Sequence, residues 1–266
     1  MFHCPFSGST PKTPSSVQTI LLMANKYEMV SLRNHIVQRL EHDWSETLWE
    51  WDGLEREIDG MAGSWTKRDT RLDHNLPEPT SAIRLAQECR IPSILPPAFY
   101  HISLLHPNAQ WCDDPLDDPT SANSYRFPSR TADRHKLTVP DLLCLIRGRE
   151  NLATASFHLP DVPVPCTDHW SDFCSLSSHK WIWEQIRSDC ASSKDVLATL
   201  GVYIESPDTD FTDGMCSVCV SPMRKTLRDL RQRIWNNLSA IFELDCLDGY
   251  VFPFASLDWH SPTVCS

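Results

Sequence analysis

Val17, Ile20, Leu21, Ala24 and Tyr27 recur at spacings of three and four residues, which places them along one apolar stripe of a helix. Glu28, Met29 and Val30 break that rhythm. Ser31 stands where an N-cap hydroxyl can accept a backbone N–H, and Leu32, Ile36, Val37 and Leu40 begin a second stripe. The chain is therefore expected to turn a helical corner within residues 21–33. Neither helix is long enough to be stable alone in water, so both must bury their stripes against other elements. An echo lies 62 positions downstream, with Ala86 on Ala24, Ile91 on Met29, Ser93 on Ser31 and Ile94 on Leu32. Two copies are too few for a solenoid, which needs about three. The expectation is a locally repeated corner, with coincidence between two amphipathic helices as the alternative.

Other helical patterns follow along the chain. Trp44, Trp49 and Trp51 crowd a segment that Asp43 or Ser45 could cap; they serve either as packing between helices or as a binding platform. Thr138, Val139, Pro140 and Asp141 open a helix well, because Thr caps, Pro suits an early position and Asp favours the positive end. Leu142, Leu145, Ile146 and Leu152 supply that helix with its apolar face. Short helices are expected at 178–190 and 194–200, and the longest at 222–244, where Leu227, Leu230, Ile234, Leu238, Ile241 and Phe242 keep helical spacing. No alternating β pattern of comparable strength competes. The fold class is therefore mainly α: an irregular multi-helix array of short amphipathic helices, with a small C-terminal subdomain that zinc could stabilise.

Composition shifts divide the chain into a flexible lead at 1–16, helices at 17–58, a polar linker at 59–79, a helical region at 80–159, a C-terminal helical region at 160–246 and a tail at 247–266. Within the helical region at 80–159, residues 107–130 form an acidic loop. Asp113, Asp114, Asp117 and Asp118 lack the spacing of a calcium loop and are interrupted by Pro115 and Pro119, so they read as solvated.

A net charge of -11 disfavours nucleic acid as a default partner, since phosphate binding rests on surplus Lys and Arg. Only 8 glycines against 20 prolines argue against phosphate-cradling loops, and no nucleotide fingerprint is present. Catalytic signatures of serine hydrolases, zinc proteases and deaminases are likewise missing, so no catalytic residue is assigned and an enzyme is not expected. No apolar run reaches transmembrane length. Eleven cysteines without a secretory leader read as reduced thiols, which points to the cytoplasm or the nucleus.

Cys216 and Cys219 form a C-x-x-C directly before the basic helical segment. Thiolates at that spacing can grip one tetrahedral zinc ion from a knuckle turn. Cys166 and Cys174 are the natural second pair, giving a candidate structural four-cysteine site, although their spacing is wider than a standard knuckle. Three alternatives stand beside it: buried idle thiols, a redox pair, and mixed ligation in which His169 or His179 replaces a cysteine.

The first corner, with Ala24, Lys26, Tyr27 and a following Leu32, resembles the closing helices of BTB/POZ domains. The segments around Ala82 to Ala86, Ile91 to Pro96 and Asp141 to Arg149 are similar to a group of fungal BTB-domain proteins, as are Cys216, Cys219 and the stretch from Trp235 to Leu244. The resemblance implies a protein-interaction module that binds protein partners, homo-oligomers among them. The β-rich front of a BTB domain has no counterpart before Val17, so a truncated module is expected. Val17, Ile20 and Leu21 would then be candidates for exposed apolar surface. The alternative function is a zinc-stabilised nuclear regulator that touches DNA through Arg224, Lys225, Arg228, Arg231 and Arg233; a metalloenzyme with an open zinc position is a third.

Overall fold

A computed structural model describes residues 13–64, 78–107, 131–155, 174, 176–207 and 215–247. Residues 1–12, most of the linker, residues 108–130, Cys166, His169 and residues 248–266 lie outside the described residues; residues 13–16, expected in the flexible lead, instead form the first turn of a helix in which Thr13 and Pro14 are buried. Among those described the fold is mainly α, with ten helices and no strand: α1 Thr13–Lys26, α2 Val30–Asp43, α3 Leu48–Ser64, α4 Pro79–Cys89, α5 Leu95–Leu104, α6 Val139–Ala155, α7 Leu176–Ser192, α8 Val196–Glu205, α9 Ser217–Asn236 and α10 Leu238–Ile241. Buried side chains from Val17 to Leu244 join in one cluster.

The expected repeat is present, down to its backbone. Glu28 closes α1 in the left-handed region at φ 53°, and Arg90, 62 positions on, closes α4 at φ 55°. The amide of Met29 then donates to the carbonyl of Ala24 at 2.8 Å, and that of Ile91 to Ala86 at 2.8 Å. Both are the long backbone bond of a Schellman ending. Ser31 is not the cap: α2 begins at Val30 behind Met29, with no side-chain cap bond. The left-handed residue sets the direction of the corner by itself, so no capping hydroxyl is needed.

The first corner lies on the second. Arg33 donates from Nε to Asn25 Oδ1 at 2.9 Å and from Nη2 to the carbonyl of Arg90 at 3.1 Å. Gln18 on α1 donates to Glu88 on α4. Beneath them α4 is capped by the buried carboxylate of Glu78, which accepts from the amides of Thr80 (3.0 Å), Ser81 (2.7 Å) and Asp133 (3.0 Å).

Neither Asp43 nor Ser45 caps α3. Thr47 and Glu50 do so reciprocally, the Thr47 amide donating to Glu50 Oε2 at 3.0 Å and the Glu50 amide to Thr47 Oγ1 at 3.2 Å. Of the three tryptophans, Trp44 and Trp51 are buried and Trp49 points outward. The Trp51 ring meets Tyr100 and Trp235, each at 5.5 Å between centroids. Two polar contacts fix α9 beside it: Trp235 Nε1 donates to the Glu46 carbonyl at 3.0 Å, and Arg231 makes a forked ion pair with Asp52 (Nη1 to Oδ2 2.7 Å) while its Nε donates to the Leu197 carbonyl at 2.8 Å.

Thr138 and Asp141 open α6 as expected, with the Thr138 amide 2.8 Å from Asp141 Oδ2, and Gln87 on α4 holds the other carboxylate oxygen at 2.6 Å. On its apolar face Leu145 and Leu152 are buried, whereas Leu142 and Ile146 are exposed. Further along, Gly148 meets the ring of Phe242. The expected helix at 222–244 is displaced: α9 spans Ser217–Asn236 with Pro222 inside it, and the chain breaks at Asn237 before the short α10.

Candidate metal centre

Cys174 precedes α7, and His179 lies in the first turns of that helix. Cys216 is the N-cap residue of α9, and Cys219 occupies its first turn. The start of α9 is tightly wound, with the Cys219 amide donating to the Cys216 carbonyl at 2.9 Å. The two helix N-termini converge there. Cys174 Sγ lies 3.0 Å from His179 Nε2 and 3.7 Å from Cys219 Sγ, and it accepts the Cys216 backbone N–H at 3.4 Å. The ligand atoms of Cys174, His179 and Cys219 all lie within 4.8 Å of one another.

Coordination geometry tests that triangle. With Zn–S near 2.3 Å and Zn–N near 2.05 Å, a tetrahedral ion separates two sulfurs by about 3.8 Å and a sulfur from a nitrogen by about 3.6 Å. The Cys174–Cys219 edge already matches. The Cys174–His179 edge would open by about 0.5 Å to admit the ion, a shift within reach of a side-chain rotation. His179 is buried and the two cysteines half-buried, so a bound ion would be shielded from bulk water.

Of the four cysteines expected from sequence, three therefore gather here: Cys174 and Cys219 as ligand atoms, and Cys216 through its backbone. Cys166 lies outside the described residues. His179, offered by the sequence beside His169 as a replacement for a cysteine, joins Cys174 and Cys219 in the group. Elsewhere Cys89, Cys144 and Cys190 are buried and reduced. Burial pushes the Cys89 and Cys190 thiols up to about 11, the state of packed, unreactive groups.

The basic helix is less available than its sequence implies. Arg231 is engaged with Asp52, and Arg224 donates to the Ser206 carbonyl. Lys225, Arg228 and Arg233 remain on the surface. No helix among the described residues is long and apolar enough to cross a membrane.

Neither a family model, nor a curated protein, nor a solved structure matches this chain. Its function must be argued from its own residues.

Proposed function

We propose that this chain is a non-enzymatic protein-interaction module of the BTB-tail kind, which docks a partner on the open face of its first helical corner. One observation carries the reading: a difference between the two copies of the repeat. Ile20, Met23, Tyr27, Met29 and Leu32 are 37 to 57 % exposed, while their counterparts Ala82, Leu85, Cys89, Ile91 and Ile94 are 0 to 2 % exposed. All five positions are apolar in both copies. In the second copy that face is buried, and the first corner is part of what lies on it. In the first copy nothing described covers it, and Leu22 and Val30 enlarge the apolar area. A partner that presents helices of its own would complete the stack. Val17 and Leu21, expected at this surface, instead belong to the core.

A structural zinc ion held by Cys174, His179 and Cys219 is the second part of the proposal. A cysteine beside a histidine at 3.0 Å could also serve as a nucleophile. The second thiol at 3.7 Å favours metal, because a nucleophile has no use for it and a tetrahedral ion does. Zinc bound there would tie α7 to α9 with an apparent worth on the order of 10 kcal/mol. Such reduced ligands suit the cytoplasm or the nucleus.

The docking test places a photo-crosslinking residue at Met23 or Val30 and, as control, at exposed Glu184. Crosslinks to a protein from 23 and 30, lost on Met29→Lys, support the face; equal yields at all three positions refute it, and adducts of twice the chain mass would make the partner a second copy. Metal analysis tests the zinc. One zinc per chain is expected, lost in Cys219→Ser and in His179→Asn; a folded wild-type chain free of metal after growth in zinc overturns it.

A further inference from the structure

A cleft with a volume of about 200 Å3 opens where the exit of α5, the last turns of α6 and the turn between α7 and α8 meet. Leu105, Leu152 and Val196 make up much of its apolar wall, and Arg149 and Lys194 are its two charged residues. Among the described residues no carboxylate lines it. In a chain with a net charge of -11, a recess whose described charged residues are all positive is a departure.

Arg149 is held in place by the backbone. Its Nε donates to the Ser103 carbonyl at 3.0 Å and its Nη2 to the Leu105 carbonyl at 2.8 Å. A guanidinium has five N–H donors in a fixed fork, so the remaining donors, Nη1 foremost, have no protein acceptor among the described residues. Burial pulls the Arg149 pKa below its ordinary value, with no carboxylate offsetting it. Lys194, on the turn before α8, is exposed and likewise has no carboxylate within ion-pair distance among the described residues. The rim hydroxyls are already engaged: Ser103 donates to the Tyr100 carbonyl at 2.6 Å and Ser193 to the Asp195 carbonyl at 3.1 Å. Recognition therefore falls to the two cations.

We infer that this cleft binds a small organic anion, its carboxylate or phosphate head held between Arg149 and Lys194 and a short branched aliphatic body against Leu105, Leu152 and Val196. The volume is below the roughly 300 Å3 at which drug-sized sites begin, which limits the ligand to a few carbons beyond its head. A preoriented Arg fork suits a planar carboxylate and a phosphate alike.

Titration of the full chain with isovalerate and with isobutyl phosphate, followed by calorimetry and by amide NMR shifts, tests the site and separates the two heads. Saturable binding of at least one anion is expected, with shifts centred on Arg149 and Lys194, and no binding of uncharged 3-methyl-1-butanol. Lys194→Met should weaken binding about tenfold or more, the worth of one charge-assisted hydrogen bond, without loss of helicity. Lys180→Met, which removes an exposed lysine on α7, should leave it unchanged. The inference is overturned if neither anion binds saturably, or if Lys194→Met binds as tightly as wild type.

Discussion

Gly148→Ala is the sharpest test of the packing, because two well-measured effects predict opposite signs. In an open helix, alanine in place of glycine stabilises by about 1 kcal/mol. At position 148 a Cβ would sit 2.7 Å from Cγ of Phe242 and closer still to Cδ1 and Cε1. Phe242 is fully buried and stacks at 39° on Phe99 with 5.8 Å between centroids, so its ring cannot swing aside into solvent. Overpacking of this kind costs about 1–3 kcal/mol or more, and overlap extending to Cγ requires the ring to translate, which favours the upper end. A net loss of about 2 kcal/mol is expected in urea denaturation followed by circular dichroism. In a Phe242→Ala background, itself costing about 3–5 kcal/mol, the same substitution should swing to a gain of about 1 kcal/mol. The coupling of about 3 kcal/mol is then at the top of the range for side chains in contact. A stabilised single variant, or one effect in both backgrounds, would refute the reasoning.

Other expectations follow from the contacts described. Arg231→Met breaks the fork to Asp52 and the bond to Leu197, and because the pair is partly solvated the loss should be about 2–4 kcal/mol, part of it recovered on adding Asp52→Asn. Glu28→Gly and Arg90→Gly relieve left-handed backbone and should each raise stability by about 0.5–1 kcal/mol, whereas valine at either position should lower it. Thr47→Ala should cost about 1 kcal/mol. Its partner Glu50 has a carboxyl held below the usual range by the Thr47 amide and hydroxyl; a depressed pKa gives stability present above the unfolded value and lost as pH falls through the folded one, so the difference from Glu50→Gln should be full at neutral pH and vanish in acid. Iodoacetamide at pH 8 should leave Cys89 and Cys190 unlabelled until the chain unfolds, since burial holds both near 11.

The helices were legible because their causes are local. Apolar spacing marked both corners, and Thr138 with Asp141 announced α6. What escaped was decided by partners far away in sequence. Ile20 and Tyr27 share a stripe with Val17 and Leu21, but α4 covers only one side of α1, and a period cannot say which edge of a stripe is buried. The break at Asn237 is similarly silent, since Leu238 and Phe242 keep helical spacing on both sides of it. At the metal centre a C-x-x-C drew attention to Cys216 and Cys219, while the sequence offered His179 only beside His169 as a replacement for a cysteine, and nothing local told the two apart before α7 was set against α9. The match of Glu28 to Arg90 was present in the 62-residue offset, but neither residue type favours a left-handed turn, so nothing in their chemistry marked them.

The pairing of α3 with α9 joins residues 179 to 189 positions apart, through Asp52 with Arg231 and Glu46 with Trp235. On a ribosome adding roughly 5–20 residues per second, Trp51 emerges about 10–40 s before the indole it packs against has been made. Until the last long helix arrives, Trp51 has Tyr100 and His101 against it but not the indole of Trp235. The front half of this core is therefore closed only by the end of the chain's last long helix, so folding is completed late in synthesis.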